Sequence, residues 1–556
     1  MSARGSAPRP APPTQPTRPT RPLGERALTG LVGERILRSF VGLEPTAEVL
    51  VAIAAGRAGG VTLFRAKNVA TPGQVRALTA ALQAARPSGA PPLLIAADQE
   101  GGQLQAMSDG TTAWPGNLAL AATGSAALAR RCGAAIGLEL AAMGVTVAYA
   151  PVCDLLGSPG NAVLGTRTFG SDPALAGRLA AAMVRGIQTR GVAATLKHFP
   201  GHGSVTVDSH HGLPVATVDG PTLRARELVP FRAGIRTGAR LVMLGHIAVP
   251  ALTGGRAVAA TFAPELAADL LRGELGFIGV SVTDALDMGA LGDHDSLPEI
   301  VSQSVRAGVD LMLTVHPSAL EDRAVDGLVA DAAAGTLDAG ALRRSRRRVR
   351  ALRRWIGRAP AQPGLDVVGS AAHRALAREI AERAVTLVRD RAGLVPLRPP
   401  SNGPWRIVAI APRPVDLTPA DTSSYAVTGL ADALRDTLRE GGMDATVAAF
   451  EAPLDPDPAA VAALRRSAAG STVTIVGTVD ALAHPGQGRL VEALAEGGSP
   501  LVAVALRTPF DLLAYPDAGT YACTYGIQPP NLRAMADALL GRIPFRGRVP
   551  VRLSLT

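Results

Sequence analysis

The sequence predicts a (β/α)8 barrel, a TIM-type fold, followed by a second α/β domain. Two observations carry this. From about residue 23 to 358, short apolar runs alternate with Ala/Leu-rich stretches of helical spacing. Six polar residues then fall at or just past the C-terminal ends of those runs: Asp98, Asp154, Lys197, His198, His246 and Asp284. Near-continuous apolar strands followed by helices imply a parallel sheet covered on its faces. A closed barrel gathers strand-end residues on the one face where active sites form. An open doubly wound sheet is the competing arrangement.

The strand candidates are Ile36–Val41, Val61–Phe64, Leu93–Asp98, Val145–Pro151, Ala194–Phe199, Leu241–Ile247, Val280–Asp284 and Leu311–Val315. Thr71–Ala85, Ala174–Arg190 and Pro264–Glu274 are among the helices between them. Residues 343–358 carry nine arginines, with Leu342, Val349, Leu352, Trp355 and Ile356 at helical spacing. We read this as an amphipathic helix closing the barrel, its charges solvated or paired with acids of the neighbouring domain, in preference to a nucleic-acid patch. Residues 359–370 form a Pro/Gly-containing linker. Residues 371–556 begin with a helix running into a strand over Ala371–Val388. Strands follow at Arg406–Ala411, Ala445–Phe450, Thr472–Gly477, Leu501–Leu506 and Tyr521–Tyr525, in a parallel or mixed sheet. Its polar residues His484, Arg507 and Asp511 form no recognisable constellation, so this domain is expected to be structural or to lend one edge of a cleft.

Composition bounds the function. The chain has 556 residues, 47% of them hydrophobic, and a net charge of +10. A basic chain can seek nucleic acid, but aromatic residues are only 3%, which leaves little for base stacking. Three cysteines, Cys132, Cys153 and Cys523, suit neither a disulfide framework nor a zinc site. Residues 1–22, rich in Pro and Arg, read as a disordered tail without the apolar core of a signal peptide, so a cytoplasmic location is expected. No apolar run is long enough for a membrane span. No cofactor and no metal are expected.

The densest chemistry lies in Lys197–Pro214. It holds four of nine histidines and one of the two lysines, the other being Lys67. Asp208 and His210 are two apart, so in an extended loop their side chains point the same way. Asp208 can then orient the His210 ring, which is free to act as acid and as base in one cycle. Asp284 ends an apolar strand at the barrel mouth, where a carboxylate can attack an electrophilic carbon. Together these suggest a double displacement in which the His210/Asp208 dyad replaces the usual second carboxyl. His202, between two glycines, is expected to shape the loop by hydrogen bonding, His211 to be exposed, and Asp287 to be a structural cap.

These residues resemble glycoside hydrolase family 3, and within it the NagZ-like β-N-acetylglucosaminidase subgroup. Ala58–Phe64 with Asn68 looks like its early strand, and Ala97–Gly102 is similar to its Asp-Gln-Glu-Gly-Gly motif. Tyr149–Asp154, Val163–Gly170, Lys197–Pro214 and Leu271–Met288 resemble successive blocks, ending in the nucleophile block. Ala384–Val388 and Arg546–Pro550 are similar to sequences bounding the family's C-terminal domain. The chain departs from the family at Gln103 and Ala106, where many relatives carry arginine, and at Ser204, where some carry aspartate. The resemblance implies a barrel followed by an α/β sandwich domain with a mostly parallel sheet. It implies a retaining mechanism with Asp284 as nucleophile and His210, assisted by Asp208, as acid/base. Asp98, Arg167, Lys197 and His198 would hold the sugar. The implied substrate is terminal β-linked N-acetylglucosamine in muropeptides or chitin oligomers, which suggests a role in peptidoglycan recycling. Two other readings stand beside it: a phosphorolytic enzyme or other β-glycosidase using the same site, and a non-catalytic glycan-binding protein.

Overall fold

A computed structural model describes residues 25–553, apart from residues 108, 158, 160, 162, 204, 206–211, 292–295, 316–318 and 426–428. Eight described strands form the barrel: β1 Ile36–Arg38, β2 Gly60–Leu63, β3 Leu94–Ala97, β4 Val147–Ala148, β5 Ala193–Phe199, β6 Leu241–Leu244, β7 Val280–Ala285 and β8 Leu311–Leu313. Each pairs in parallel with its sequence neighbours, and β1 pairs with β8. Closure excludes the open doubly wound alternative. All barrel-strand residues are buried except the half-buried Asp284, which is why they read as apolar runs without alternation.

Several observed strands are shorter than the apolar runs. β4 stops at Ala148 although the run continues to Pro151, and Tyr149, Ala150 and Pro151 still hydrogen-bond to the neighbouring strands. β6 stops at Leu244, just before Gly245 and His246 turn toward the barrel mouth.

The arginine-rich segment is a helix over Ala339–Ile356, capped by Asp338, whose carboxylate accepts the Gly340 and Ala341 N–H groups. Leu342, Val349, Leu352 and Ile356 are buried on its inner face. Arg343, Arg347, Arg354 and Arg358 are exposed, as expected of solvated charges, but the ionic partners of the others correct the expected pairing with the second domain. Arg346 and Arg350 pair with Glu34, Arg348 with Asp310, and Arg344 with Asp338. All three acids lie in the barrel half of the chain rather than in the second domain.

The chain then runs through residues 357–370 into a helix over Ala371–Ala384. Six strands follow: β9 Thr386–Asp390, β10 Trp405–Pro412, β11 Ala445–Ala452, β12 Val473–Thr478, β13 Leu501–Ala505 and β14 Thr520–Cys523. Their order is β9-β14-β13-β12-β10-β11, parallel except for β9 against β14. Helices cover both faces, as the two apolar clusters on either side of this sheet require.

This sheet is bound to the barrel by hydrogen bonds rather than by chain continuity alone. Thr422 donates its backbone N–H and its hydroxyl to the Gln103 carbonyl, at 2.9 and 3.1 Å. The Gln528 amide donates to the Gly102 carbonyl at 2.9 Å. His373 meets the buried Glu139 carboxylate at 2.7 Å.

Candidate active site

The strand ends of the barrel open into a cleft of about 650 Å³. Asp98, Lys197, His198 and Asp284 line it, together with Arg167 from the loop after β4. Asp154 and His246 sit behind them. The second domain closes one side with Asp416, Pro419, Ala420, Asp421, Thr422 and Tyr425, so its expected contribution of a cleft edge is what the structure displays.

The floor is an ion network. Lys197 Nζ lies 2.5 Å from Asp98 and 2.6 Å from Glu100. Arg167 grips Glu100 through two parallel bonds, Nε at 2.9 Å and Nη2 at 2.8 Å. Its Nη1 donates to the Val163 carbonyl at 3.0 Å. Burial favours the neutral form of Glu100, yet Arg167 and Lys197 override it and hold the carboxyl down at about 2. Burial likewise opposes the Lys197 charge, and Asp98 and Glu100 win, raising its pKa. Only Asp98 of this group is appreciably exposed, at 24% of its side chain, which leaves it free to accept hydroxyl donors from a ligand.

A second pair fixes His198. Its Nδ1 is 2.6 Å from the fully buried Asp154 carboxylate, which also accepts the backbone N–H groups of His198 and His202. With Nδ1 as donor, Nε2 points at the cleft, 3.5 Å from Arg167 Nη2.

Asp284 lies at the end of β7. Burial would raise its pKa, but His198 and His246, with the Ala285 N–H and Lys197, lower it. The Ala285 N–H donates to Asp284 Oδ1 at 2.9 Å. His246 is itself pinned: Nε2 donates to the Ala285 carbonyl and Nδ1 accepts from Thr261, both at 2.8 Å. The result is an ionised carboxylate with one oriented oxygen, facing open space.

Several sequence expectations need adjustment. Arg167 is 2% exposed and spends most of its donors on Glu100 and Val163. Glu100, two residues past Asp98, received no role from the sequence. The i, i+2 reasoning applied to Asp208 and His210 would have found it. Lys67 also lines the cleft, its Nζ donating to the Val315 carbonyl at 2.6 Å; its rarity in an arginine-rich chain was the available signal. Asp287 accepts the Val315 N–H at 3.0 and 2.9 Å and so ties β7's loop to β8's. Among the described residues the ring of His202 has no hydrogen-bond partner, while its backbone N–H donates to Asp154. Gln103 is buried against Thr166 rather than lining the cleft, while Ala106 does line it. Asp208, His210 and His211 lie outside the described residues.

A barrel whose strand-end carboxylates face a cleft shared with an α/β domain defines a two-domain barrel enzyme. A family model for the "Glycosyl hydrolase family 3 N terminal domain" matches residues 34–352. The chain belongs to glycoside hydrolase family 3. It is 32% identical to the beta-N-acetylglucosaminidase/beta-glucosidase of Cellulomonas fimi, over 83% of each chain. It is 34% identical to beta-hexosaminidase A of Pseudoalteromonas piscicida over 61% of its own length, and spans 60% of that protein. The solved structure of a glycoside hydrolase family 3 beta-N-acetylglucosaminidase from Paenibacillus sp. str. FPU-7 superposes with a TM-score of 0.86 at 33% identity, covering 95% of this chain and 99% of that one.

Proposed function

We propose that this protein is an exo-acting, retaining β-N-acetylglucosaminidase that removes terminal β-linked N-acetylglucosamine from glycans such as muropeptides or chitin oligomers. The observation that carries the reading is Asp284: an ionised, oriented carboxylate at the end of β7, facing a cleft lined by sugar-binding donors and acceptors. The names of the relatives support the substrate class, and the cleft edge lent by residues 416–425 suits attack on a chain end.

In this mechanism Asp98, Lys197 and His198 hold the hydroxyls of the terminal sugar, while Arg167 keeps Glu100 and His198 in place. Asp284 Oδ attacks the anomeric carbon as the glycosidic C–O bond breaks. His210, oriented by Asp208, gives its proton to the leaving oxygen. Water then enters, His210 takes one of its protons, and the ester to Asp284 is broken with the β configuration restored. Lowering of the Asp284 pKa keeps it ionised through the weakly acidic and neutral range, which an attacking carboxylate requires.

The test is to trap the ester. A fluorinated N-acetylglucosaminide with a good leaving group should add one sugar mass to the peptide containing Asp284. A label on another residue, or an enzyme that cleaves no aryl β-N-acetylglucosaminide, would reject the proposal. Running the assay with and without phosphate separates hydrolysis from phosphorolysis, since only the latter yields a sugar 1-phosphate.

A further inference from the structure

The cleft wall contains a buried polar ring, that of His202. His202 is 4% exposed, and neither ring nitrogen has a hydrogen-bond partner among the described residues. The contrast with its neighbours is sharp: His198 is bonded to Asp154, and His246 to Thr261 and Ala285. Buried polar atoms are nearly always satisfied, so an unsatisfied pair calls for a reason.

The ring is held in place by the backbone on either side of it. The His202 N–H is bonded to Asp154 at 2.7 Å. The flanking glycines let the chain press against its surroundings: a Cβ on Gly201 would meet Glu227 Cβ at 2.9 Å, and one on Gly203 would meet the Leu155 carbonyl at 2.0 Å. The backbone is therefore fixed at both sides of the ring. The ring itself stands edge-on to His198, centroids 6.2 Å apart, and lines the same cleft as Arg167 and His198.

Burial lowers the His202 pKa, outweighing the opposing pull of Asp154. The ring is then neutral, with one nitrogen donating and the other accepting. A charged ligand group would leave one of the two unmatched. A hydroxyl or an acetamido group, each both donor and acceptor, matches both.

We propose that His202 is a substrate-binding residue whose ring hydrogen-bonds an uncharged hydroxyl or acetamido substituent of the sugar in the cleft. This rests on the glycosidase reading for the identity of the ligand, and it assigns His202 to ligand binding rather than to proton transfer.

Two variants of the full chain test it. His202→Phe keeps the ring volume without polar atoms, and His202→Gln keeps a donor and an acceptor. The Phe variant should raise KM for an aryl β-N-acetylglucosaminide about tenfold, the scale of one or two lost hydrogen bonds. Its kcat should change less, and its melting temperature should hold or rise, since a buried unsatisfied group has gone. The Gln variant should recover most of the KM. A loss confined to the N-acetylglucosaminide places the contact on the acetamido group. An equal loss on the aryl β-glucoside places it on a shared hydroxyl. A Phe variant with unchanged KM overturns the proposal, as does one whose melting temperature falls while Gln fails to rescue KM. Calorimetry with free N-acetylglucosamine reads the contact without catalysis. A wild-type chain that binds this sugar but cleaves neither glycoside would reject the glycosidase reading alone, and equal binding by the Phe variant would reject this one.

Discussion

Glu100 at the barrel mouth and Asp511 in the second domain are both 1% exposed, yet they are treated in opposite ways. Glu100 sits between Arg167 and Lys197 and is held down at about 2. Asp511 meets the Thr478 hydroxyl at 2.7 Å and the Ala481 N–H at 2.9 Å. Burial, with the like charge of Asp480, pushes it up to about 7 against those two bonds. The nearby Arg507 relieves it only in part, because that guanidinium is committed to Asp421 at 2.8 Å on the cleft edge. Burial alone therefore does not decide the state of a carboxyl. Cations are supplied where a fixed charge shapes the ligand site, and withheld where the group only fills a sheet–helix junction.

The largest expected effect separates the two regions outright. Asp284→Ala should reduce turnover of any β-N-acetylglucosaminide by roughly 10⁴-fold or more while leaving far-UV dichroism and melting unchanged. Asp511→Asn should leave kcat/KM untouched. Loss of activity in the second variant would break the division of labour.

His210→Ala comes next. Its cost should approach about 10²–10⁴-fold for poor leaving groups and be far smaller for nitrophenyl glycosides, which need little protonation. Equal losses for both kinds, in a series of aryl glycosides, would remove the acid role.

Glu100→Gln probes the ion network by stability. It leaves Arg167 and Lys197 buried with too little negative charge, a situation that costs about 3–5 kcal/mol. Denaturant unfolding should register it. A neutral result would mean that Asp98 alone balances both cations.

The smallest effect is in pH dependence, where the two acids carry opposite signs. Glu100 is lowered from 4.5 to about 2. The unfolded chain binds its proton first on acidification, so this contribution, roughly 3 kcal/mol, is present above pH 4.5 and lost as pH falls toward 2. Asp511 is raised from 3.8 to about 7. The folded chain keeps its proton longer, so stability falls as pH rises from about 4 to 7. Asp511→Asn should flatten that fall, and Glu100→Gln should flatten the acid limb. The reverse assignment of slopes would overturn the comparison.

Much of this was legible in sequence. The eight apolar runs marked β1 to β8, because strands buried on both faces leave an unmistakable local composition. Asp98, Lys197, His198 and Asp284 were legible as strand-end polar residues, and the structure gathers them around one cleft. Strand ends were less legible near Pro151 and Gly245, where the apolar run outlasts the strand. The helix over residues 339–356 was legible as amphipathic, but the partners of its arginines were not: Glu34 is 312 residues from Arg346.

By itself the sequence determined the local elements, the order in which they recur, and which side chains stand at strand ends, since these depend on periods of two and 3.6 residues and on neighbouring turn chemistry. Tertiary structure alone decided the pairing of Glu100 with Arg167 and Lys197, the burial of the His202 ring without a partner among the described residues, and the cleft edge supplied by residues 416–425. Each depends on which distant segments meet when the barrel closes and the second sheet docks on it. Electrostatics and hydrogen bonding act over a few ångströms of space, and no periodicity along the chain encodes that distance.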